Sequence, residues 1–150
     1  MRAIFMMGGP AAGKTMVRAR DYADATAIDC DAIKAERADY DPKNPSANHE
    51  ASSQEATRRF YAALGTGQPV VFDGTGNTAE KYVGFVLAAQ SAGYETELCY
   101  VTTSLATALA RNASRARVVP EDVVRERHAR VATSFEIVSR YADRVRVVRN

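Results

Sequence analysis

Arg2-Ala-Ile-Phe-Met-Met-Gly-Gly-Pro-Ala-Ala-Gly-Lys-Thr15 is the stretch whose reading decides the fold. Its first six residues form an apolar run that predicts a buried strand. Gly8 to Thr15 then fit G-x-x-x-x-G-K-[ST], the spacing of a phosphate-binding loop. Thr15-Met-Val-Arg-Ala-Arg-Asp-Tyr22 behind them predicts a helix. The spacing acquires meaning only between a strand and a helix, and here both are present. Glycines let the backbone wrap closely around an anion, with N–H groups and the helix dipole aimed at it. Lys14 is expected to reach the β and γ phosphates, and the Thr15 hydroxyl to ligate Mg²⁺. The expected nucleotide contacts are Gly9, Pro10, Ala11, Ala12, Gly13, Lys14, Thr15 and Met16, with ATP and Mg²⁺ as cofactors. The competing reading of the same residues is a glycine-rich turn before a helix.

Outward from this loop, helix and strand patterns alternate along the chain. Strands are predicted at 2–7, 26–29, 69–73, 95–101 and 144–148. Helices are predicted at 14–23, 32–38, 52–64, 79–92, 104–112 and 120–141. Gly65-Thr66-Gly67 and Ala92-Gly93 supply helix stops. Pro120-Glu121-Asp122 supplies a start, with proline in the first turn and acids at the positive dipole end. Alternation of this kind predicts an α/β domain, a parallel sheet with helices on both faces. The 150 residues suit a single domain, 1–150, with a real core. Asp41-Pro42-Lys43-Asn44-Pro45-Ser46 is the clear loop, expected to border the site.

Composition narrows the function classes. The chain is 46% hydrophobic and 25% charged, ordinary for a soluble globular protein. No apolar run has the length of a membrane span, and the start lacks the pattern of a signal peptide, so a cytoplasmic location and no membrane partner are expected. Cys30 and Cys99 read as free buried thiols, and no zinc-ligand spacing occurs. Net charge is only +2 but uneven. Residues 1–110 carry 10 Lys/Arg against 13 Asp/Glu, whereas residues 111–150 carry 10 Arg against 5 Asp/Glu. Arginine suits bidentate phosphate recognition.

In an open parallel sheet, ligands bind beyond the carboxyl ends of the strands. The predicted second strand ends in Asp29-Cys30-Asp31. Of this pair, one acid is expected to face the cleft while the other caps or supports. Asp31 is read as a general base that takes a proton from a substrate hydroxyl, against the alternative that it caps the following helix. Asp73 ends the third strand, where a carboxylate either holds Mg²⁺ or binds substrate. Gly74 and Gly76 permit close approach of a ligand, and Thr75 and Asn77 supply hydrogen bonds. The substrate-side candidates are therefore Asp29, Asp31, Lys34, Asp73, Thr75 and Asn77, and the metal candidates are Thr15, Asp31 and Asp73. Arg111 and Arg117 are expected to neutralise charge on the transferring phosphate. Arg115 is open between that role and a solvated helix end. Arg125, Arg127 and Arg130 read as a solvated face, and His49 and His128 as surface residues.

Several of these elements, in this order, resemble the zeta toxin family of P-loop kinases. They are the phosphate loop, Ile28-Asp-Cys-Asp31 with Lys34 and Tyr40-Asp-Pro42, Val71-Phe-Asp-Gly-Thr-Gly76, Ala92-Gly-Tyr-Glu-Thr96 and Arg117-Val-Val-Pro120. The resemblance implies a P-loop NTPase fold of small-kinase type, a three-layer αβα sandwich with a five-stranded parallel sheet. It implies phosphorylation of a hydroxyl group, in that family on UDP-N-acetylglucosamine. It implies Lys14 on phosphate, Asp31 as base, Asp73 and Thr75 on substrate, and Arg111 and Arg117 as clamps. It also implies a substrate-contacting glutamate in the helix before the third strand, for which Glu55 is the nearby candidate. The segment Arg111-Asn112-Ala-Ser-Arg115 through Arg117 to Val124 is also similar to phage polynucleotide 5′-hydroxyl kinases. Nucleic acid, or a modified-base hydroxyl in DNA, is therefore the second candidate acceptor. An antitoxin partner is compatible with the family but not indicated by these residues. A nucleotide-binding switch without catalysis would keep Lys14 and Thr15 and would not need Asp31.

Overall fold

The computed structural model describes residues 1–9, 11–41, 43, 49–116 and 118–150. Eleven elements follow one another: β1 (Arg2–Met7), α1 (Lys14–Asp21), β2 (Thr26–Asp29), α2 (Cys30–Glu36), α3 (His49–Leu64), β3 (Val70–Asp73), α4 (Ala79–Ser91), β4 (Glu95–Thr102), α5 (Leu105–Ala113), α6 (Glu121–Val138) and β5 (Arg144–Arg149). They fall where the pattern predicts, with ends moved by up to three residues. Helix α3 starts at His49 rather than 52, and α6 stops at Val138 because residues 139–143 turn the chain back into β5.

The five strands form one sheet in the order β2-β3-β1-β4-β5, and every pair is parallel. Parallel strands are covered on both faces, so β1 reads as a continuous apolar run instead of an alternating one. Its residues nonetheless divide by face. Ala3, Phe5 and Met7 pack into one core with Phe60, Phe85, Val131 and Val138 from α3, α4 and α6. Ile4 and Met6 pack into the other with Val17 of α1 and Tyr22. The larger core is aromatic. Phe60 meets Phe5, Phe72 and Phe85 at ring-centroid distances of 5.6, 5.8 and 4.7 Å. Fully burying one such ring contributes about 1.5–3 kcal/mol.

This packing also fixes the strand tips. The buried Tyr82 hydroxyl of α4 donates to the Met6 carbonyl at 2.6 Å, at the end of β1. Gly8 N–H donates to the Thr75 carbonyl at 3.0 Å, tying the loop after β1 to the turn after β3. Strand β1 is the point from which the chain winds in opposite directions, so the crevice beyond its carboxyl end is where an open α/β sheet accepts a ligand.

Candidate active site

The phosphate loop leaves β1 at Gly8 and enters α1 at Lys14. Gly13 sits before the helix at φ +94°, and no side chain caps that end. The positive end of α1 is thus left for an anion. A side chain at Gly8 would strike the Lys14 stem and the Val101 carbonyl, both at 2.8 Å, so glycine is required for the loop to close over its own lysine. The loop's carbonyls are held from outside. Arg111 Nη1 of α5 donates to Ala11 O at 3.1 Å, and Asn150 Nδ2 donates to Ala12 O at 2.7 Å. These two hydrogen bonds brace the loop from α5 and from the end of β5. Thr15 and Met16 are exposed on the first turn of α1.

Lys14 Nζ lies 3.1 Å from Asp73 Oδ1 and donates to the Gly74 carbonyl at 3.1 Å. Asp73 is buried, and its other oxygen receives Arg18 Nη1 at 2.8 Å. The same Arg18 nitrogen reaches Asp29 Oδ2 at 2.8 Å. A chain of alternating charges, Lys14–Asp73–Arg18–Asp29, therefore crosses from the phosphate loop to the tip of β2. Burial tends to raise the Asp29 pKa. The Arg18 hydrogen bond and the N–H groups of Ala32 and Asp31 outweigh it, and the carboxyl is held below its ordinary value.

Asp29, not Asp31, caps α2: its Oδ1 accepts from the N–H groups of Asp31 at 3.0 Å and Ala32 at 3.1 Å. This corrects the capping alternative for Asp31. It also corrects the substrate-side expectation for Asp29, whose two oxygens are both occupied and which does not line the cavity. Asp31 is exposed in the first turn of α2, beside the cleft.

That cleft is a cavity of about 670 Å³. Lys14 and Asp73 line it, with Gly74, Thr75, Gly76 and Asn77 of the turn after β3. Asp31 and Lys34 come from α2, His49, Ser52 and Ser53 from α3, and Lys81 from the first turn of α4. Arg127 of α6 completes the wall. The cavity brings together the predicted Lys14, Asp31, Lys34, Asp73, Thr75 and Asn77. Arg111 is not among the lining residues and donates instead to the phosphate loop at the Ala11 carbonyl. Pro10, Arg117, and Pro42, Asn44, Pro45 and Ser46 of the expected loop lie outside the described residues.

Several expectations need correction. Arg127 is exposed, as are Arg125 and Arg130, but it stands apart from them. Those two pair with Glu121 and Glu126 one turn away, while Arg127 lines the cavity. His49 is exposed, as expected of a surface residue, and it also lines the cavity; its pKa is lowered by partial desolvation first and then by the charges of Lys34, Lys81 and Arg127. His128 is half-buried, its Nε2 2.9 Å from the Thr103 carbonyl, and its backbone packs beside Gly9. Cys30 is half-buried rather than buried, and burial pushes its thiol up to about 11. Glu55 is not among the residues lining the cavity, pairs with Arg58 and Arg59, and is lowered to about 2 by hydrogen bonds from those arginines. Sequence reasoning missed Arg18, Lys81 and Asn150. Lys81 carried a signal, because the first turn of a helix leaving a strand-tip loop faces the cleft. Arg18 and Asn150 carried none, since their partners lie on other elements.

Oxygen donors from Thr15 and Asp73 suit Mg²⁺, which is usually held by one or two carboxylates together with substrate phosphates and waters. Among the described residues, no group of three or more His, Cys, Asp or Glu could hold a metal unaided. Among the same residues, no helix is long and apolar enough to cross a membrane.

A parallel 2-3-1-4-5 sheet, with a glycine-rich loop and lysine at the tip of its central strand, defines a P-loop kinase-like domain of small-kinase type. The chain belongs to the AAA domain family AAA_33, which its sequence matches over residues 4–138. No curated protein sequence matches it. Solved structures are similar in fold. A chain of the PezAT chromosomal toxin–antitoxin system of Streptococcus pneumoniae gives a TM-score of 0.68 at 15% identity, covering 97% of this chain and 65% of that one. The AvrRxo1-ORF1:-ORF2 complex with ATP gives 0.60 at 22% identity, covering 91% and 47%. A gluconokinase from Sinorhizobium meliloti 1021 gives 0.58 at 16% identity, covering 98% and 81%. The chain thus spans less than two thirds of the length of the first two. At these identities the likeness is one of fold.

Proposed function

We propose that this protein is an ATP- and Mg²⁺-dependent kinase that transfers the γ-phosphate to a substrate hydroxyl. The observation that carries the reading is one cavity whose wall includes both Lys14 of the phosphate loop and Asp31 in the first turn of α2, just beyond β2. Asp31 takes the proton of the attacking hydroxyl, as a carboxylate without an ion-pair partner among the described residues is free to do. Lys14 leaves Asp73 for the β and γ phosphates, and Asp73 stays anchored by Arg18. Thr15 and Asp73, with Asp31 as the further candidate ligand, would hold Mg²⁺, which would supply positive charge to offset that of the phosphates. Arg111 and Arg117 stabilise the transferring group, with Thr75, Asn77 and Lys34 on the acceptor. The protein acts in the cytoplasm.

The zeta toxin resemblance and the fold likeness to the PezAT chain favour a small acceptor of the UDP-N-acetylglucosamine type, and with it an antitoxin as a partner to seek by co-purification. The arginine-rich last forty residues favour the second reading, a nucleic-acid or modified-base hydroxyl. One assay separates them. Labelled ATP and Mg²⁺ are offered with UDP-sugars or with 5′-hydroxyl and hydroxymethylated DNA, using Asp31→Asn as the control. We expect label on a UDP-sugar, reduced about 10²–10⁴-fold in the control with ATP affinity kept. Label on DNA assigns the second reading. ATP binding without transfer to any hydroxyl acceptor overturns the kinase reading and leaves a non-catalytic switch, and undiminished transfer by Asp31→Asn overturns the assignment of Asp31 as base.

A further inference from the structure

The sheet has two edges, and they differ. Strand β2 is short, and its last residue, Asp29, is taken up by the cap of α2 and by Arg18. Strand β5 offers six residues, each paired with β4 on one side. Among the described residues, no strand lies on its other side. An edge of this length presents a row of unpaired backbone N–H and C=O groups, a template for another strand. The side chains of β5 alternate. Val145 and Val147 stand opposite Leu98 and Tyr100 of the larger core, so they lie on the face that α6 helps to cover. They are nonetheless 45% and 40% exposed, so that core runs out at β5. Arg144 and Arg146 stand opposite Glu97 and Cys99, on the face covered by α1.

This margin is also positive. Residues 139–150 contain four arginines, Arg140, Arg144, Arg146 and Arg149, and one acid, Asp143. Asp143 is used inside the fold, where its carboxylate accepts from Thr96 N–H at 2.9 Å and from Thr96 Oγ1 at 3.0 Å. Arg146 shares Asp21 with Arg20. Among the described residues, Arg140 and Arg149 have no carboxylate within 4.0 Å. Two copies of the chain pairing through β5 would line up three arginines from each along one seam. Like charges opposed across strands destabilise the pair, which argues against a second copy as the occupant. A strand of opposite charge meets the same backbone groups without that repulsion.

We propose that β5 is a docking edge for an extended, acidic segment of another protein, which adds to the sheet as a sixth strand. Main-chain hydrogen bonds supply the affinity, and the alternation of side chains supplies the specificity. The fitting segment alternates acidic and apolar residues. Its acids lie beside Arg144 and Arg146 on the α1 face, and its apolar side chains cover Val145 and Val147 on the other. None of the residues lining the cavity belongs to β5, so the proposal stands whether or not the protein transfers phosphate.

The test uses the whole protein and three labelled eight-residue peptides, read by fluorescence anisotropy at low salt. One peptide alternates glutamate and valine. One alternates lysine and valine. The third is the glutamate peptide with its backbone nitrogens methylated, so that it keeps the charge but cannot donate to a strand. We expect the glutamate peptide to bind about tenfold more tightly than the other two, or better. Saturation with it should slow amide hydrogen exchange in residues 144–149. Arg144→Gln combined with Arg149→Gln should weaken its binding about tenfold. Both side chains are exposed, and circular dichroism of the double variant checks that the fold persists. Equal binding of the methylated peptide overturns strand addition, since charge alone then holds the segment. Equal binding of the lysine peptide, or binding of none of the three, overturns the proposal as well. So does sedimentation showing that the protein alone pairs with itself, with exchange in 144–149 slowed at high protein concentration, which assigns the edge to a second copy.

Discussion

Around Lys14 the cleft is made by one contiguous stretch of chain, whereas around Asp31 it is made by side chains from α2, α3, the tip of β3, α4 and α6. The first region works through backbone geometry. Gly8 and Gly13 allow the loop to close and to present the uncapped end of α1, so its chemistry is fixed by residues close in sequence. The second region works through charges that meet only in space, and the same five elements could present other side chains without altering the fold. A shared phosphate-handling loop beside an independently furnished acceptor cavity is how one architecture serves different substrates. Arg18 joins the two, since one of its nitrogens touches both Asp73 and Asp29.

Breaking the contiguous region should have the largest effect. Lys14→Ala removes a charged donor from the phosphates and should weaken ATP binding about a hundredfold, read by calorimetry. Equal affinity would remove the loop from nucleotide binding. Breaking the link comes next. Arg18→Gln leaves the buried Asp73 with Lys14 alone and Asp29 with its helix cap alone. We expect a loss of about 2–3 kcal/mol in urea unfolding, below the figure for fully buried pairs because the Arg18 side chain keeps 21% exposure. Because Lys14 is then the sole cation on Asp73, ATP affinity should fall as well. Unchanged affinity with lowered stability would mean that the two regions are not coupled through Arg18.

Asp29→Ala should cost about 1 kcal/mol, the usual value of a helix N-cap, with its effect centred on α2. Its pH dependence has a definite sign. The folded pKa of Asp29 lies below its unfolded value, so its contribution is complete above the ordinary carboxylate range and is lost as pH falls through the folded pKa. Wild-type and variant stabilities should therefore converge in acid, and a difference that persists there would contradict the assignment. The smallest effect belongs to the outer face of α6. Arg125→Gln breaks only an exposed pair with Glu121, and its melting temperature should match wild type within error. A marked shift would show that this face, unlike the face bearing Arg127, has a partner.

The sequence by itself determined the layered α/β fold and the identity of its central strand. Those follow from local pattern: an unbroken apolar run in a strand buried on both faces, glycine where backbone must turn, and proline with acids where a helix begins. The tips carrying Asp31 and Asp73 were legible for the same reason, since strand ends in a parallel sheet share one edge. What only the tertiary structure decided was which member of a pair or series does what. Asp29 and Asp31 are two residues apart with the same functional group, and the choice of cap was settled by which carboxylate met Arg18 and the N–H groups of α2. Arg125, Arg127 and Arg130 are indistinguishable by residue type, and the placement of α6 put Arg127, of the three, beside the cavity. Asn150 holds Ala12 across 138 positions of chain. Contacts of that kind depend on how whole elements pack, and no short stretch of sequence encodes them.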